Sequence, residues 1–253
     1  MRKKVIEVRN LVKKFGDFVA NDNLNFDVYE GEIFGFLGSN GAGKTTAIRI
    51  LSGLSAPTSG QALVAGFDAG TQAEKIKMNI GYMCQKFSLY EDLTVKENIT
   101  LYGGIYGLSN AQIAERKKTL LEKLRFSEYE NRLIADLPLG LKQKLSFSTA
   151  MLHEPKIIFL DEPTGGVDPI TRRQFWEMIY ETAARGITIF VTTHYMDEAE
   201  YCDRVSIMNE GRIEALDTPE NLKIKYNANS IEEVFIKIAR PTAGDKNKVE
   251  NYL

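Results

Sequence analysis

The chain has 253 residues, enough to bury a full core as one large domain or as a main body with a subdomain. With 43 % hydrophobic and 26 % charged residues it has an ordinary globular composition. Lys and Arg total 32 against 34 Asp and Glu, so a net charge of -2 argues against a general nucleic-acid binder; two cysteines, Cys84 and Cys202, argue against a metal cluster or a disulfide framework.

The opening MRKKVIEVRN is basic but has no apolar stretch behind it, so no secretion signal is expected there. Residues 5–8 and 24–28 alternate apolar and polar side chains, which predicts half-buried strands. Residues 33–37 are almost uniformly apolar, as suits a central strand covered on both faces. A glycine-rich turn and a helix over 44–51 follow. Pro57 to Gly60 reads as a turn, 61–65 as a strand and 80–83 as another core strand.

Residues 95–124 read as helical, interrupted near Gly103, Gly104 and Gly107, with the second part over 111–124. A further helix over about 142–153 is stopped by Pro155. A strand at 157–160, a helix at 172–184 ended by Gly186 and a strand at 188–191 form a strand-helix-strand unit. A short helix near 196–201 precedes strands at 205–208 and 212–215, joined by an Asn209-Glu210-Gly211 hairpin. Helix alternating with apolar strand predicts an α/β fold, with an antiparallel portion contributed by the early and late strands. Ser230 and Glu233 form a capping pair for a last short helix, and residues 241–250 read as a mobile, charged end. No run is long and apolar enough to cross a bilayer, which places the chain in the cytoplasm unless a partner holds it elsewhere.

The chemistry is concentrated in a few places. Gly38-Ser39-Asn40-Gly41-Ala42-Gly43-Lys44-Thr45 matches the whole GxxxxGK[ST] pattern between a buried strand and a helix. Glycines let backbone N–H groups turn around an anion, and the helix directs its positive end to the same place. Lys44 would reach the β and γ phosphates, and the Thr45 hydroxyl would hold Mg²⁺. Residues 157–160 carry Asp161 to the C-terminal edge of a strand, where it can order a Mg²⁺ shell, and Glu162 can polarise an attacking water. His194, after the strand ending at Val191 and the pair Thr192-Thr193, can meet a γ phosphate or serve structure. Gln85, after the core strand, can meet the metal or the water through its amide. His153, at a helix end, reads as structural.

With these residues in order, residues 5–220 resemble the ATP-binding subunit of an ABC transporter. The resemblance implies a P-loop NTPase core with an antiparallel β subdomain and a helical subdomain over about 86–150. The domain would fill 1–220, with 221–253 as a helical extension and tail. Lys44 and Thr45, with Thr46 beside them, match Walker A; Asp161 and Glu162 match Walker B and the catalytic glutamate; Gln85 matches the Q-loop and His194 the switch histidine. Mg²⁺ would be held by Thr45, Gln85 and Asp161, partly through water. Gly165-Gly166-Val167-Asp168 matches the D-loop. Phe15 falls where the family stacks an aromatic on adenine, with a core aromatic beside a turn as the other reading.

Leu137 to Leu141, LPLGL, stands where the family carries LSGGQ, a loop that closes over nucleotide held by a second subunit. Gly140 aligns with the second signature glycine, Leu139 replaces the first, and Pro138 replaces the serine. Proline has neither hydroxyl nor N–H, so one donor is missing, worth on the order of 1.5–3 kcal/mol if nothing compensates. Weakened or differently timed closure is expected, not a dead enzyme; the other reading is a harmless variant in which proline preorganises the loop.

The LPLG form followed by Lys142-Gln143 resembles ATPases serving ABC-2 type exporters of drugs or other small molecules. The implied partners are an integral-membrane permease and a second ATP-binding subunit, alike or different, with no nucleic acid. The implied location is the cytoplasmic side of the membrane. Phe87, Leu89, Tyr90 and Leu93 would dock a short permease helix, or pack the helical lobe onto the core. A nucleotide-gated subunit with weak hydrolysis and an ABC ATPase outside transport are the alternatives.

Overall fold

The structure is a computed structural model and describes residues 2–84 and 89–239. The chain opens with long strands β1 (Lys4–Phe15) and β2 (Phe18–Tyr29), paired antiparallel, then β3 (Ile33–Gly38) and α1 (Lys44–Leu51). β4 (Ser59–Val64), β5 (Phe67–Asp68), α2 (Ala73–Asn79) and β6 (Ile80–Met83) follow. Helices α3 (Val95–Ile105), α4 (Asn110–Leu124) and α5 (Leu139–Ala150) form a lobe before β7 (Ile157–Asp161). The remainder is α6 (Pro169–Ala183), β8 (Thr188–Thr193), α7 (Met196–Ala199), β9 (Arg204–Asn209), β10 (Arg212–Asp217), α8 (Pro219–Tyr226) and α9 (Ile231–Ala239).

Two sheets result. A four-stranded antiparallel sheet has the order β2-β1-β4-β5, and a six-stranded sheet has the order β10-β9-β3-β8-β7-β6. In the second, β9, β3, β8, β7 and β6 run parallel, and β10 returns antiparallel to β9. The α/β core with an antiparallel portion is what the alternating pattern predicts, and the separate helical lobe is what the family resemblance implies.

The uniformly apolar strands are explained by burial on both faces. Phe34 and Phe36 of β3, Phe159 of β7 and Phe190 of β8 point toward the antiparallel sheet and α1. There Phe26 joins them, its ring 5.6 Å from both Phe34 and Phe36. Ile33, Leu37, Ile158, Leu160, Ile189 and Val191 point the other way, against α5, α6 and the C-terminal helices. Leu222 of α8 and Ile231 and Val234 of α9 are buried in that same core, so the C-terminal helices are part of its packing. Ser230 caps α9 by accepting from Glu233 N at 3.2 Å, while Glu233 reaches back to Asn229 N at 2.8 Å.

The helical lobe has its own core, built from Leu89, Val95, Ile99, Leu121, Phe126, Ile134 and Leu145 among others. Capping boxes at Thr94/Glu97 and Ser109/Gln112 start α3 and α4. α3 runs through Gly103 and Gly104, contrary to the interruption expected there. A Cβ on Gly103 would lie 2.7 Å from Ile113 Cγ1, so this glycine admits α4 rather than breaking α3. The chain turns at Gly107, where φ is +74°.

A second correction concerns α5, which begins at Leu139 and ends at Ala150 rather than spanning 142–153. Pro138 is its N-cap, and its carbonyl accepts from Leu141 N and Lys142 N, both at 3.0 Å. A proline is tolerated where the missing N–H has no intrahelical partner, so Pro138 starts the helix about three residues earlier than expected. His153 lies beyond the helix, where Nε2 is 3.0 Å from Ile80 O and the ring stacks on Tyr106 at 3.7 Å. Among the described residues no helix is long and apolar enough to cross a membrane.

Candidate functional site

β3, β7 and β8 are neighbours in parallel, so their C-terminal ends bring three loops to one edge of the sheet. The loop after β3 carries residues 38–44 into α1, the loop after β7 carries Glu162, and the loop after β8 carries His194.

The first loop is shaped by its glycines and by outside braces. Gly41 and Gly43 have φ of +82° and +101°. A Cβ on Gly43 would lie 2.3 Å from Ala20 O, so backbone conformation and space both require glycine. Gly211 N, in the β9–β10 hairpin, donates to Ala42 O at 3.0 Å, and Asn21 Nδ2 donates to Gly43 O at 3.1 Å. Ser39, Asn40, Gly41 and Thr45 are exposed, Gly43 and Thr46 half-buried, and Gly38 and Ala42 buried. Lys44 is folded under the loop, donating from Nζ to Gly38 O at 2.7 Å and Ser39 O at 3.0 Å. Burial holds its ammonium below the usual lysine range, opposed by the nearby carboxylates of Glu162 and Asp161.

Asp161 ends β7, is 2 % exposed and accepts from Thr192 Oγ1 at 2.6 Å. Burial pushes its carboxyl up, against the opposing Thr192 bond; neighbouring Glu162 raises it further and Lys44 lowers it. Glu162 sits at φ +48°, an unusual conformation for a side-chain-bearing residue. Its N–H donates to Thr192 O at 3.1 Å and to Thr192 Oγ1 at 3.0 Å, which fixes the turn. The turn brings Oε1 to 3.7 Å from Lys44 Nζ and Oε2 to 3.1 Å from His194 Nδ1. One carboxylate thus lies between an ammonium and an imidazole.

The site fits a nucleotide and a hard divalent cation. Glycine-shaped backbone and the N-terminus of α1 suit phosphate, while the buried Asp161 carboxylate ending β7 and the exposed Thr45 in the first turn of α1 are oxygen ligands suited to the cation. Phe15 ends β1 opposite Phe18 and is 56 % exposed, with Lys13 Nζ 5.1 Å from its ring centroid. That excludes the core-aromatic reading and leaves a face open for stacking.

Gly140 and Asp168 lie together in a different hollow, lined also by Pro138, Leu139, Gly166 and Thr171. Gly140 lies in the first turn of α5, where a Cβ would meet Thr171 Cγ2 at 2.6 Å. The Asp168 carboxylate is committed to capping α6, accepting from Ile170 N and Thr171 N at 3.0 Å each and from Thr171 Oγ1 at 2.5 Å. Gln85 and Phe87 lie outside the described residues. Leu89 is 4 % exposed within the helical core, whereas Tyr90 is 51 % exposed. Thr192, Asn21 and the hairpin at Gly211 carry no local motif, and sequence reading leaves their bracing roles unseen.

Residues 21–165 match the family model described as "ABC transporter". The chain is 47 % identical over 240 residues to the "Probable multidrug ABC transporter ATP-binding protein YbhF" of Escherichia coli (strain K12), covering 92 % of this chain and 41 % of that one. It therefore spans about two fifths of the length of that relative. It is 39 % identical over 219 residues to "Nod factor export ATP-binding protein I" of Cupriavidus metallidurans, covering 86 % of this chain and 72 % of that one. Among solved structures, "Structure of ATP binding subunit of ABC transporter" superposes with a TM-score of 0.84 at 30 % identity, covering 93 % of this chain and all of that one. "Dimeric structure of a post-hydrolysis state of the ATP-binding cassette MJ0796 bound to ADP and Pi" superposes at 0.76 and 25 % identity, covering 84 % of this chain and 98 % of that one.

Proposed function

The chain belongs to the ABC transporter family as an ATP-binding subunit, and on that premise we propose that it hydrolyses ATP to drive a separate ABC-2 type membrane permease exporting a drug or other small molecule. The observation that carries the hydrolytic reading is Glu162, held 3.7 Å from Lys44 Nζ and 3.1 Å from His194 Nδ1 at the sheet edge. Export rests on the relatives, two of which are named for multidrug transport and Nod factor export.

In this reading ATP is substrate. The glycine loop 38–43 and Thr46 surround its phosphates with backbone and hydroxyl donors, and Phe15 stacks on adenine. Lys44 leaves its two loop carbonyls and turns its charge to the β and γ phosphates. Thr45, Asp161 and Gln85 would hold Mg²⁺, which supplies charge neutralisation at the phosphate oxygens. Glu162 orients a water and takes its proton as the oxygen bonds to the γ phosphorus; the bond to the β–γ bridging oxygen breaks, leaving ADP and phosphate. His194 steadies the γ phosphate from the other side of Glu162. Gly140, at the start of α5, and Asp168 meet the nucleotide of a second ATP-binding subunit, like or unlike this one, at the cytoplasmic face of the membrane. Tyr90 belongs to the permease-docking surface, and the division into 1–220 and a C-terminal extension follows the same reading.

The test is Mg²⁺-dependent ATP turnover by the purified chain, with Glu162→Gln in parallel and binding of a fluorescent ATP analogue measured on both. Turnover that vanishes in the variant while binding persists supports the reading. Equal turnover in the two removes Glu162 from the chemistry, and absence of binding sinks the reading altogether.

A further inference from the structure

Behind the Glu162–His194 contact lies a buried acid that the proposed chemistry does not use. Glu198, on the four-residue helix α7, has 0 % exposure. Thr164 Oγ1 donates to its Oε1 at 2.5 Å, and Thr193 Oγ1 donates to its Oε2 at 2.6 Å. Arg172 Nε, from α6, lies 3.6 Å from Oε1. Each carboxylate oxygen is thus tied to a threonine from a different catalytic loop. Thr164 stands two positions after Glu162, and Thr193 stands immediately before His194. The Thr193 hydroxyl also accepts from Tyr195 N at 3.0 Å, so its donor is directed to Glu198 and its acceptor side to the residue after His194. The Arg172 guanidinium covers the Tyr195 ring at 4.1 Å, closing the group on the outer side.

A fully buried carboxylate is costly unless its oxygens are satisfied, and removing a partner leaves that cost uncompensated. Two short hydroxyl bonds meet that requirement here, with the Arg172 charge 3.6 Å away, and one of them joins segments 34 residues apart. Glu162 stands in a strained turn at φ +48°, a conformation that persists only where its surroundings over-determine it. Thr192 fixes the Glu162 end of that turn, and Gly165 N, donating to Glu162 O at 3.2 Å, closes it next to Thr164, which is itself anchored on Glu198. We infer that Glu198 is a positioning residue that sets Glu162 against His194 by clamping Thr164 and Thr193. The inference rests on the hydrolytic roles proposed for that pair.

The test uses the full chain with Glu198→Gln, Thr164→Val and Thr164→Ser. The valine removes one hydroxyl at nearly constant shape; the serine restores it. Turnover and KM for ATP are measured, together with fluorescent-analogue binding and the imidazole NMR signals, which are limited to two histidines. Expected are a fall in kcat of at least about tenfold in Glu198→Gln and Thr164→Val, KM and binding within about threefold, and recovery in Thr164→Ser. The His194 ring signals move in Thr164→Val, while those of His153, on its separate stack with Tyr106, stay in place. Turnover within about twofold of the parent in the valine and glutamine variants overturns the inference. So does a parallel loss of turnover and binding that serine does not rescue. If Glu198→Gln fails to fold, the Thr164 pair decides. Should the parent chain show no turnover beyond Glu162→Gln, the hydrolytic reading fails instead; an unmoved His194 signal in Thr164→Val then overturns the clamp on its own.

Discussion

The Thr192 hydroxyl donates to Asp161 Oδ1 at 2.6 Å and accepts from Glu162 N at 3.0 Å, so one β8 side chain holds two consecutive acids of the neighbouring strand end. Parallel pairing of Asp161 with Thr192 makes this possible. Thr192→Val keeps the shape and removes both bonds, leaving Asp161 buried without that donor. A loss of about 1–3 kcal/mol in unfolding free energy is expected, with Mg²⁺-dependent turnover reduced about tenfold; Thr192→Ser should recover both. Urea denaturation and steady-state kinetics on the two variants check this, and a valine variant of parental stability would show that the hydroxyl is dispensable.

Gly43 combines φ of +101° with a Cβ position 2.3 Å from the Ala20 carbonyl oxygen. Gly43→Ala must therefore move either the phosphate loop or β2, at a cost of about 2–4 kcal/mol. Binding of a fluorescent ATP analogue should be lost together with that stability. Normal affinity in the alanine variant would mean that nucleotide is held by a different loop conformation.

Legibility from sequence follows how local the cause is. β3, β7 and β8 are readable because both faces are buried, so an unbroken apolar run needs no knowledge of its partners. The phosphate loop is readable because its glycines answer to backbone conformation, a property of the residue itself. The start of α5 is not, since the sequence pattern begins the helix near 142 and only the structure shows the Pro138 carbonyl accepting from Leu141 and Lys142. Gly103 likewise reads as a break until Ile113 is found against it. Glu198 is invisible altogether: a glutamate on a short helix has no local mark of burial, and two of its three partners, Thr164 and Arg172, come from segments distant in the chain.

Pro138 as N-cap changes what its replacement should do. The helix start is already formed through the Pro138 carbonyl, and the cap carries no side-chain bond. In Pro138→Ser the hydroxyl can accept from a first-turn N–H, a gain of about 1 kcal/mol, offset by the greater freedom of the unfolded chain. Thermal stability should therefore change by less than about 1 kcal/mol. The hydroxyl also offers a donor outward, toward nucleotide on a second subunit, so turnover should rise several-fold, to about tenfold at most. Unchanged turnover at unchanged stability would mean that the backbone of Leu139 and Gly140 already suffices there.

His153 gives the fold a pH dependence separate from catalysis. Burial lowers its imidazole from 6.5 to about 4, helped by nearby Arg116 and opposed by the bond to Ile80 O. Nδ1 is buried without a hydrogen-bond partner, so protonation there would place a charge with nothing to receive it. The unfolded chain takes up this proton near pH 6.5 and the folded chain only near pH 4. Stability from the neutral ring is thus fully present above pH 6.5 and is lost as the pH falls through about 4. Discounted for partial exposure, the loss is on the order of 2 kcal/mol. His153→Gln keeps an N–H donor for Ile80 O without a titrating group, so its stability should fall less between pH 7 and pH 5. Urea denaturation at both pH values measures the difference, and equal falls in parent and variant would assign the dependence to carboxylates elsewhere. Because Tyr106 closes α3 and Ile80 opens β6, this ring ties the helical lobe to the sheet, and the loss on acidification is a loss of that joint.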